Sequence, residues 1–107
     1  MGPFGEALVD RQALESQALE QNRILSVGAA ATAYIRGHAD TGERAAGNPI
    51  WVLEVDVTPA DGEPYRVRHR EIVSAAAMGA YYAGSSIPCR IDRADPGRIA
   101  FGDRPFM

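Results

Sequence analysis

Two histidines and one cysteine are the side chains of this lysine-free chain that could most readily do chemistry. An imidazole can act as a general acid or base or as a metal ligand. His38 and His69 stand in none of the DxH, HxH or HExxH spacings, so we expect each to be hydrogen-bonded locally near a strand end. Cys89 alternates with Ile87 and Ile91. This pattern predicts a small buried side chain rather than a nucleophile, because nothing near it in sequence would lower its pKa.

Four carboxylates in predicted turns could bind a divalent cation, but their spacing does not match an EF-hand loop. Asp61, Glu63, Asp92 and Asp95 stand next to glycine or proline or in short turn segments, so turn chemistry explains them better. The absence of lysine excludes Schiff-base catalysis. We therefore expect no metal, no cofactor and no enzymatic activity. An active site or small-ligand site near the two histidines is kept as a third alternative.

Alternating arginines form the most strongly charged stripe of the sequence. Single-stranded nucleic acids bind to basic grooves that also expose aromatic rings for base stacking. The candidate nucleic-acid face consists of Tyr34, Arg36, Arg66, Arg68 and Arg70. Acidic residues of the preceding strand would face these arginines, and the other aromatic side chains of these strands point inward. The pattern therefore favours an ion-paired, solvated face over a nucleic-acid site.

Residues 6–26 are rich in alanine, leucine, glutamate and glutamine and predict a helix that ends near Gly28. Its apolar stripe could cover the rest of the domain or pair with the same helix of a second chain. Membrane binding is the least favoured use, because acidic side chains outnumber arginines on this helix. The candidate oligomer residues are Leu8, Leu14, Ala18, Leu19 and Leu25.

After the helix the apolar period changes to two, which predicts strands. A loop is expected at residues 40–49, a turn at 59–64 and a short helix at 74–84. The alternating inward positions include Ala33 and Ile35 in the first strand and Trp51 in the second. The predicted strands cover residues 29–36, 50–58, 65–73, 86–92 and 98–102.

The register of the second and third strands follows from their apolar faces. A slip by one residue would bury three arginines, so Val57 must lie opposite Tyr65. This register also sets Asp56 opposite Arg66. It needs a loop with an odd number of residues, and we expect Gly62 to take the left-handed conformation there.

Three strands, a helix and two strands is the element order of an OB-fold. The sequence thus predicts a mainly β protein: an OB-like five-stranded small barrel with a leading α-helix and a short helix between strands three and four. The alternatives are an SH3-like barrel or a half-open sheet crossed by the first helix. The expected organisation is a helix at 1–27, a small β-barrel at 28–102 and a tail at 103–107.

Several short motifs in residues 28–102 resemble a small β-barrel module of high-GC, actinobacteria-like bacteria, a domain of unknown function. The resemblance implies a barrel and no known catalytic residues. The motifs that carry it are Ala31-Thr32-Ala33-Tyr34-Ile35, Asp40-Thr41-Gly42, Gly47-Asn48-Pro49, Val55-Asp56-Val57-Thr58-Pro59, Asp61-Gly62-Glu63-Pro64-Tyr65, Ile87-Pro88-Cys89-Arg90-Ile91-Asp92 and Asp95-Pro96.

The 107 residues suffice for one domain, and the net charge of −3 does not favour general binding to nucleic acid. No signal peptide or membrane span is predicted, so we expect a cytoplasmic protein. The first functional hypothesis is a non-enzymatic interaction module that self-associates through residues 6–26, as a homo-oligomer or with another protein. The alternative is a single-stranded nucleic-acid-binding protein of OB-like fold.

Overall fold

The computed structural model describes the backbone of residues 3–102 and the side chains of residues 15–102. One long helix, α1 (Pro3–Val27), precedes five antiparallel strands of one sheet, which confirms the mainly β class with a leading helix. The predicted tail at 103–107 lies outside the described residues. The strands are β1 (Ala29–Ala45), β2 (Asn48–Pro59), β3 (Tyr65–Ile72), β4 (Ser86–Ile91) and β5 (Ile99–Phe101).

The strand order is β3-β2-β1-β4-β5, so β1 is central and β3 and β5 are the two ends of the sheet. Because β3 is not hydrogen-bonded to β5, the sheet is not closed, and a barrel is not what the strand pairing forms. Helix α1 packs against β1, β4 and β5. The half-open sheet crossed by the first helix, which the sequence left as an alternative, describes this arrangement.

The core lies on one face of the sheet, as the period-two patterns predict. Trp51, Leu53, Val55 and Val57 of β2 are all buried. The core extends across the neighbouring strands on this same face, because every second side chain of a strand points to it. Its other fully packed members are Ala33, Ile35, Val67, Val73, Cys89, Ile91 and Ile99.

The predicted register of the second and third strands is confirmed. Val57 lies opposite Tyr65, and Asp56 lies opposite Arg66. The expected role of Gly62 is wrong, because Gly62 is not among the described residues with a positive φ. The turn between these strands therefore does not depend on a left-handed glycine.

The loop predicted at 40–49 is also wrong, because most of it is strand. β1 continues to Ala45, and a turn of only two residues leads into β2. In that turn Ala46 has a φ of 51° and Gly47 a φ of 82°, the left-handed pair that a two-residue hairpin requires. The turn-forming residues near Asp40 and Gly42 instead lie within β1, where its pairing with β2 is interrupted between Asp40 and Arg44. There the Gly42 amide donates to the Asp40 carboxylate over 2.8 Å.

The short helix predicted at 74–84 is reduced to a single 3-10 turn, Met78–Tyr81. The N-terminal helix does end where predicted, but for a different reason. Gly28 does not adopt a left-handed conformation, and an added Cβ there would lie 2.5 Å from the Ile24 carbonyl oxygen and 2.7 Å from that of Ile91. Glycine is required because the end of the helix approaches β4 too closely for any side chain.

Candidate functional site

The structure brings the five candidate nucleic-acid residues onto one exposed side of the sheet. Tyr34 on β1 lies opposite Asp56 on β2, which in turn lies opposite Arg66 on β3. Arg36, Arg68 and Arg70 are exposed on the same strands. A shallow groove of about 570 Å³ lies beside this row, lined in part by Tyr34 and Arg66. The five side chains therefore share one exposed side of the sheet.

Carboxylates neutralise much of this face. Asp56 accepts hydrogen bonds from Arg66 over 3.0 Å and from Arg36 over 3.1 Å, and Arg66, followed by Arg36, holds the pKa of Asp56 below its ordinary value. Arg70 pairs with Glu43 over 2.7 Å. All these pairs are solvent-exposed, so each stabilises the fold only slightly and can exchange partners.

The two histidines have different surroundings and different partners. His38 stacks on Trp51 with 4.2 Å between ring centroids, and Tyr82 approaches both rings. His69 hydrogen-bonds through Nε2 to the Glu71 carboxylate over 2.7 Å. No group of three or more His, Cys, Asp or Glu side chains in the described part of the chain could hold a metal ion.

Cys89 packs in the core, as its alternation with isoleucines predicts. Burial raises the pKa of its thiol to about 11. A thiol with such a pKa is almost entirely protonated at neutral pH and is a weak nucleophile. Its contribution is therefore to packing.

Glu71 is the site residue that the sequence reasoning missed. Its carboxylate is buried and receives hydrogen bonds from the Gln21 amide at 2.9 and 3.1 Å, a longer one from Gln17 at 3.4 Å, and the contact with His69. Burial, and after it the charge of Glu71, raises the pKa of Tyr81 to about 12. The period-two pattern could have found Glu71, because it falls on the inward side of β3 together with His69.

Asp92 has the turn role expected of it and a second role that connects α1 to the sheet. Its carboxylate accepts the Ala94 amide over 2.9 Å, which is the local turn bond. It also accepts a hydrogen bond from the Arg23 guanidinium of α1 over 2.7 Å. Asp92 is only 5% exposed. This buried carboxylate therefore anchors the C-terminal part of α1.

The candidate oligomer residues of α1 divide into different environments. Leu25 is buried with Ile24 and Ala100 of the same chain, so it faces its own sheet. Leu19 is 69% exposed, and Ala18 is exposed as well. Leu8 and Leu14 belong to α1, but their side chains lie outside the described residues. At least the described C-terminal half of the helix therefore covers its own sheet.

A second groove lies between the two end strands of the sheet. This seam groove of about 510 Å³ is bounded by α1, by β3 and by the segment that enters β5. The side chains at its rim are predominantly polar, and three of them are arginines. Its lining residues are Ser16, Gln17, Glu20, Gln21, Arg68, His69, Arg70, Gly97, Arg98 and Ile99.

The fold and these sites define a small single-sheet β protein with a docked helix, an arginine-rich outer face and an open seam. No family model, no curated protein and no solved structure matches the chain. The resemblance to a bacterial β-barrel module therefore stays a prediction. Among the described residues no helix has both the length and the apolar character needed to cross a membrane.

Proposed function

We propose that this chain is a non-enzymatic cytoplasmic interaction module that assembles with a second copy of itself through the outer face of α1. The observation that carries the proposal is the exposure of Leu19 and Val27, which are 69% and 55% exposed. Residues 19 and 27 are about two turns apart and therefore lie on nearly the same side of the helix. A matching helix of a second chain would bury these apolar side chains.

The inner side of the same helix is already occupied. Gln21 bonds to Glu71, and Leu25 is buried against the sheet. An isolated exposed leucine would be unremarkable on a protein surface. Here the exposed apolar residues stand on a helix that is held in a fixed orientation, so they offer a rigid surface to a partner.

Light scattering after size-exclusion chromatography tests this assembly. The full chain is expected to have the mass of a dimer or higher oligomer, and Leu19→Glu is expected to reduce it to that of a monomer, because the charge would be buried without a partner. Thr58→Glu, a charge introduced at an exposed position of β2, serves as the matched control and should leave the mass unchanged. A monomeric wild-type chain would contradict the proposal.

We further propose that the fold is OB-like rather than SH3-like, with its last seam left open. The strand order supports this, since pairing β3 with β5 would complete a five-stranded closed sheet. Side chains already bridge the gap. The rings of His69 and Phe101 are 5.2 Å apart, and the Tyr65 hydroxyl donates to the Pro96 carbonyl over 2.7 Å.

The second candidate function is binding of single-stranded nucleic acid on the outer face. It is favoured by the placement of Tyr34, Arg36, Arg66, Arg68 and Arg70 on one exposed side of adjacent strands. Fluorescence anisotropy with labelled oligothymidylate provides the test. Binding should weaken steeply with added salt, and Arg66→Glu should weaken it further. If the anisotropy of the oligonucleotide does not change on addition of the protein at low salt, nucleic-acid binding is refuted.

A further inference from the structure

The two end strands of the sheet border the seam groove, and each has one backbone edge that no neighbouring strand of the sheet pairs with. β3 is the last strand on one side and β5 the last on the other. An unpaired strand edge presents a row of amide and carbonyl groups that can pair with another extended segment. The groove of about 510 Å³ between them is bounded by Arg68 and Arg70 on one side and by Arg98 and Ile99 on the other.

The alternation of hydrogen-bonded and non-hydrogen-bonded residues along β3 shows which of its backbone amide and carbonyl groups point toward the seam. The Val73 amide donates to the Pro49 carbonyl over 2.9 Å, and this pair continues the β2–β3 register. Bonded and non-bonded pairs alternate in an antiparallel ladder. Val67 and His69 therefore bond to β2, so the backbone groups in between point away from β2, toward the seam. These outward backbone groups belong to Arg66, Arg68 and Arg70.

The same reasoning applies to the opposite edge. The Asp92 amide donates to the Arg98 carbonyl over 2.9 Å, and the Gly102 amide donates to the Pro88 carbonyl over 2.7 Å. Both pairs share the register of the β4–β5 ladder. The backbone groups of Ile99 and Phe101 consequently face the seam. Both sides of the groove thus offer free backbone edges within the described residues.

The charge around the groove specifies the chemistry of its occupant. The described lining residues include three arginines, Arg68, Arg70 and Arg98, and one carboxylate, Glu20. Arg98 pairs with Glu20 over 2.8 Å, and Arg70 pairs with Glu43 outside the groove. Both arginines are more than half exposed in these pairs, so an incoming carboxylate could replace the present partner at little cost.

None of the described side chains that line the groove is a phenylalanine, tyrosine or tryptophan. Nucleic-acid strands gain much of their affinity from base stacking on such rings, so a peptide fits this groove better. In an added strand every second side chain would lie beside the outward side chains of Arg66, Arg68 and Arg70. The best-matched occupant therefore carries carboxylates at alternate positions.

We propose that the free edge of β3 binds an extended acidic peptide of a partner protein by strand addition, with its alternating carboxylates beside Arg66, Arg68 and Arg70. Backbone hydrogen bonds supply affinity, and the guanidinium groups select the acidic sequence. This binding does not depend on assembly through α1, whose outer face lies elsewhere. It goes beyond self-association because it gives the module a partner of defined chemistry.

Amide hydrogen exchange followed by NMR tests the backbone part of the proposal. In the free chain the amides of Val67 and His69 should exchange slowly, and those of Arg66, Arg68 and Arg70 should exchange fast. Addition of a heptapeptide of alternating threonine and glutamate should protect the three arginine amides in particular. Protection that never appears on β3, or a free chain in which all five amides exchange equally slowly, would overturn strand addition.

Anisotropy with the same peptide, labelled with fluorescein, tests the selection of charge. Arg68→Glu should weaken binding by about tenfold or more. Arg44→Glu reverses an exposed charge of β1 that pairs with Asp40, and it should change the affinity by less than about twofold. Thermal melting of each variant separates a binding defect from unfolding.

Two variants of the peptide test the acidic specificity and the backbone pairing separately. The heptapeptide with glutamine in place of glutamate should bind much more weakly, and a proline at its centre should abolish binding because proline cannot donate to the ladder. Equal binding of the glutamine peptide would refute the acidic specificity. Binding of oligothymidylate without binding of the acidic peptide would overturn the proposal in favour of the nucleic-acid face.

Discussion

Glu71 is a buried carboxylate whose hydrogen-bond partners come from two elements far apart in the sequence. Gln21 of α1 is 50 residues away, whereas His69 is two residues away on the same strand. A buried carboxylate is tolerated only where donors satisfy it. The cluster of Glu71, His69, Gln17 and Gln21 therefore fixes the orientation of α1 over β3 as well as solvating a buried charge.

Replacement of Glu71 tests this role. Glu71→Ala should lower the free energy of unfolding by about 1–3 kcal/mol, because it leaves the Gln21 amide and the His69 ring without their acceptor. Glu71→Gln keeps the length and one acceptor oxygen, so its cost should be smaller. Urea denaturation measures both, and Glu63→Ala, at an exposed turn position, is the control. Equal stabilities of Glu71→Ala and the control would show that the cluster adds nothing.

Besides its bonds to Glu71, helix α1 is docked by a small apolar contact and by the buried carboxylate of Asp92. Ile24 and Leu25 pack with Ala100 of β5, and Arg23 reaches Asp92 at the end of β4. The Arg23 guanidinium, followed by the Ala94 amide, holds the pKa of Asp92 below its ordinary value of 3.8. Helix docking is therefore linked to the protonation of this carboxylate.

The sign of this linkage gives a pH prediction. A depressed carboxyl pKa contributes stability that is present above the unfolded value and is lost as the pH falls through the folded value. Asp92→Asn should be less stable than the wild type at neutral pH, and the difference should shrink below about pH 4. Urea midpoints at several pH values measure it, with Asp61→Asn as control. A difference that stays constant down to the acid transition would contradict the role of Asp92.

In the whole molecule, the open seam between β3 and β5 determines where the groove and the unpaired strand edges lie. The sheet curves far enough for His69 and Phe101 to touch, yet β3 and β5 do not pair. Helix α1 lies alongside this gap and bonds to β3 through Glu71 and to the segment before β5 through Arg98. Side chains thus bridge the seam, while the outer backbone edges of β3 and β5 are not paired with each other, as the proposed strand addition requires.

The strand faces and the register of β2 on β3 follow from the sequence alone, because they depend on a side-chain period of two and on the cost of burying arginines. The helix end was also predicted correctly from Gly28, but the need for glycine there is tertiary, since a side chain would meet the Ile91 carbonyl oxygen of β4. Sequence reasoning failed at residues 40–49, because composition typical of a loop is also compatible with an irregular strand that ends in a two-residue turn.

The three-dimensional contacts were needed to show whether the sheet closes, which side of α1 is covered and what surrounds Glu71 and Asp92. Each of these depends on contacts between residues far apart in the chain, such as Gln21 with Glu71 and Arg23 with Asp92. Periodicity shows that a side chain points inward but not which element meets it there. The curvature of the sheet and the docking of the helix determine those contacts between elements, and they also form the seam groove.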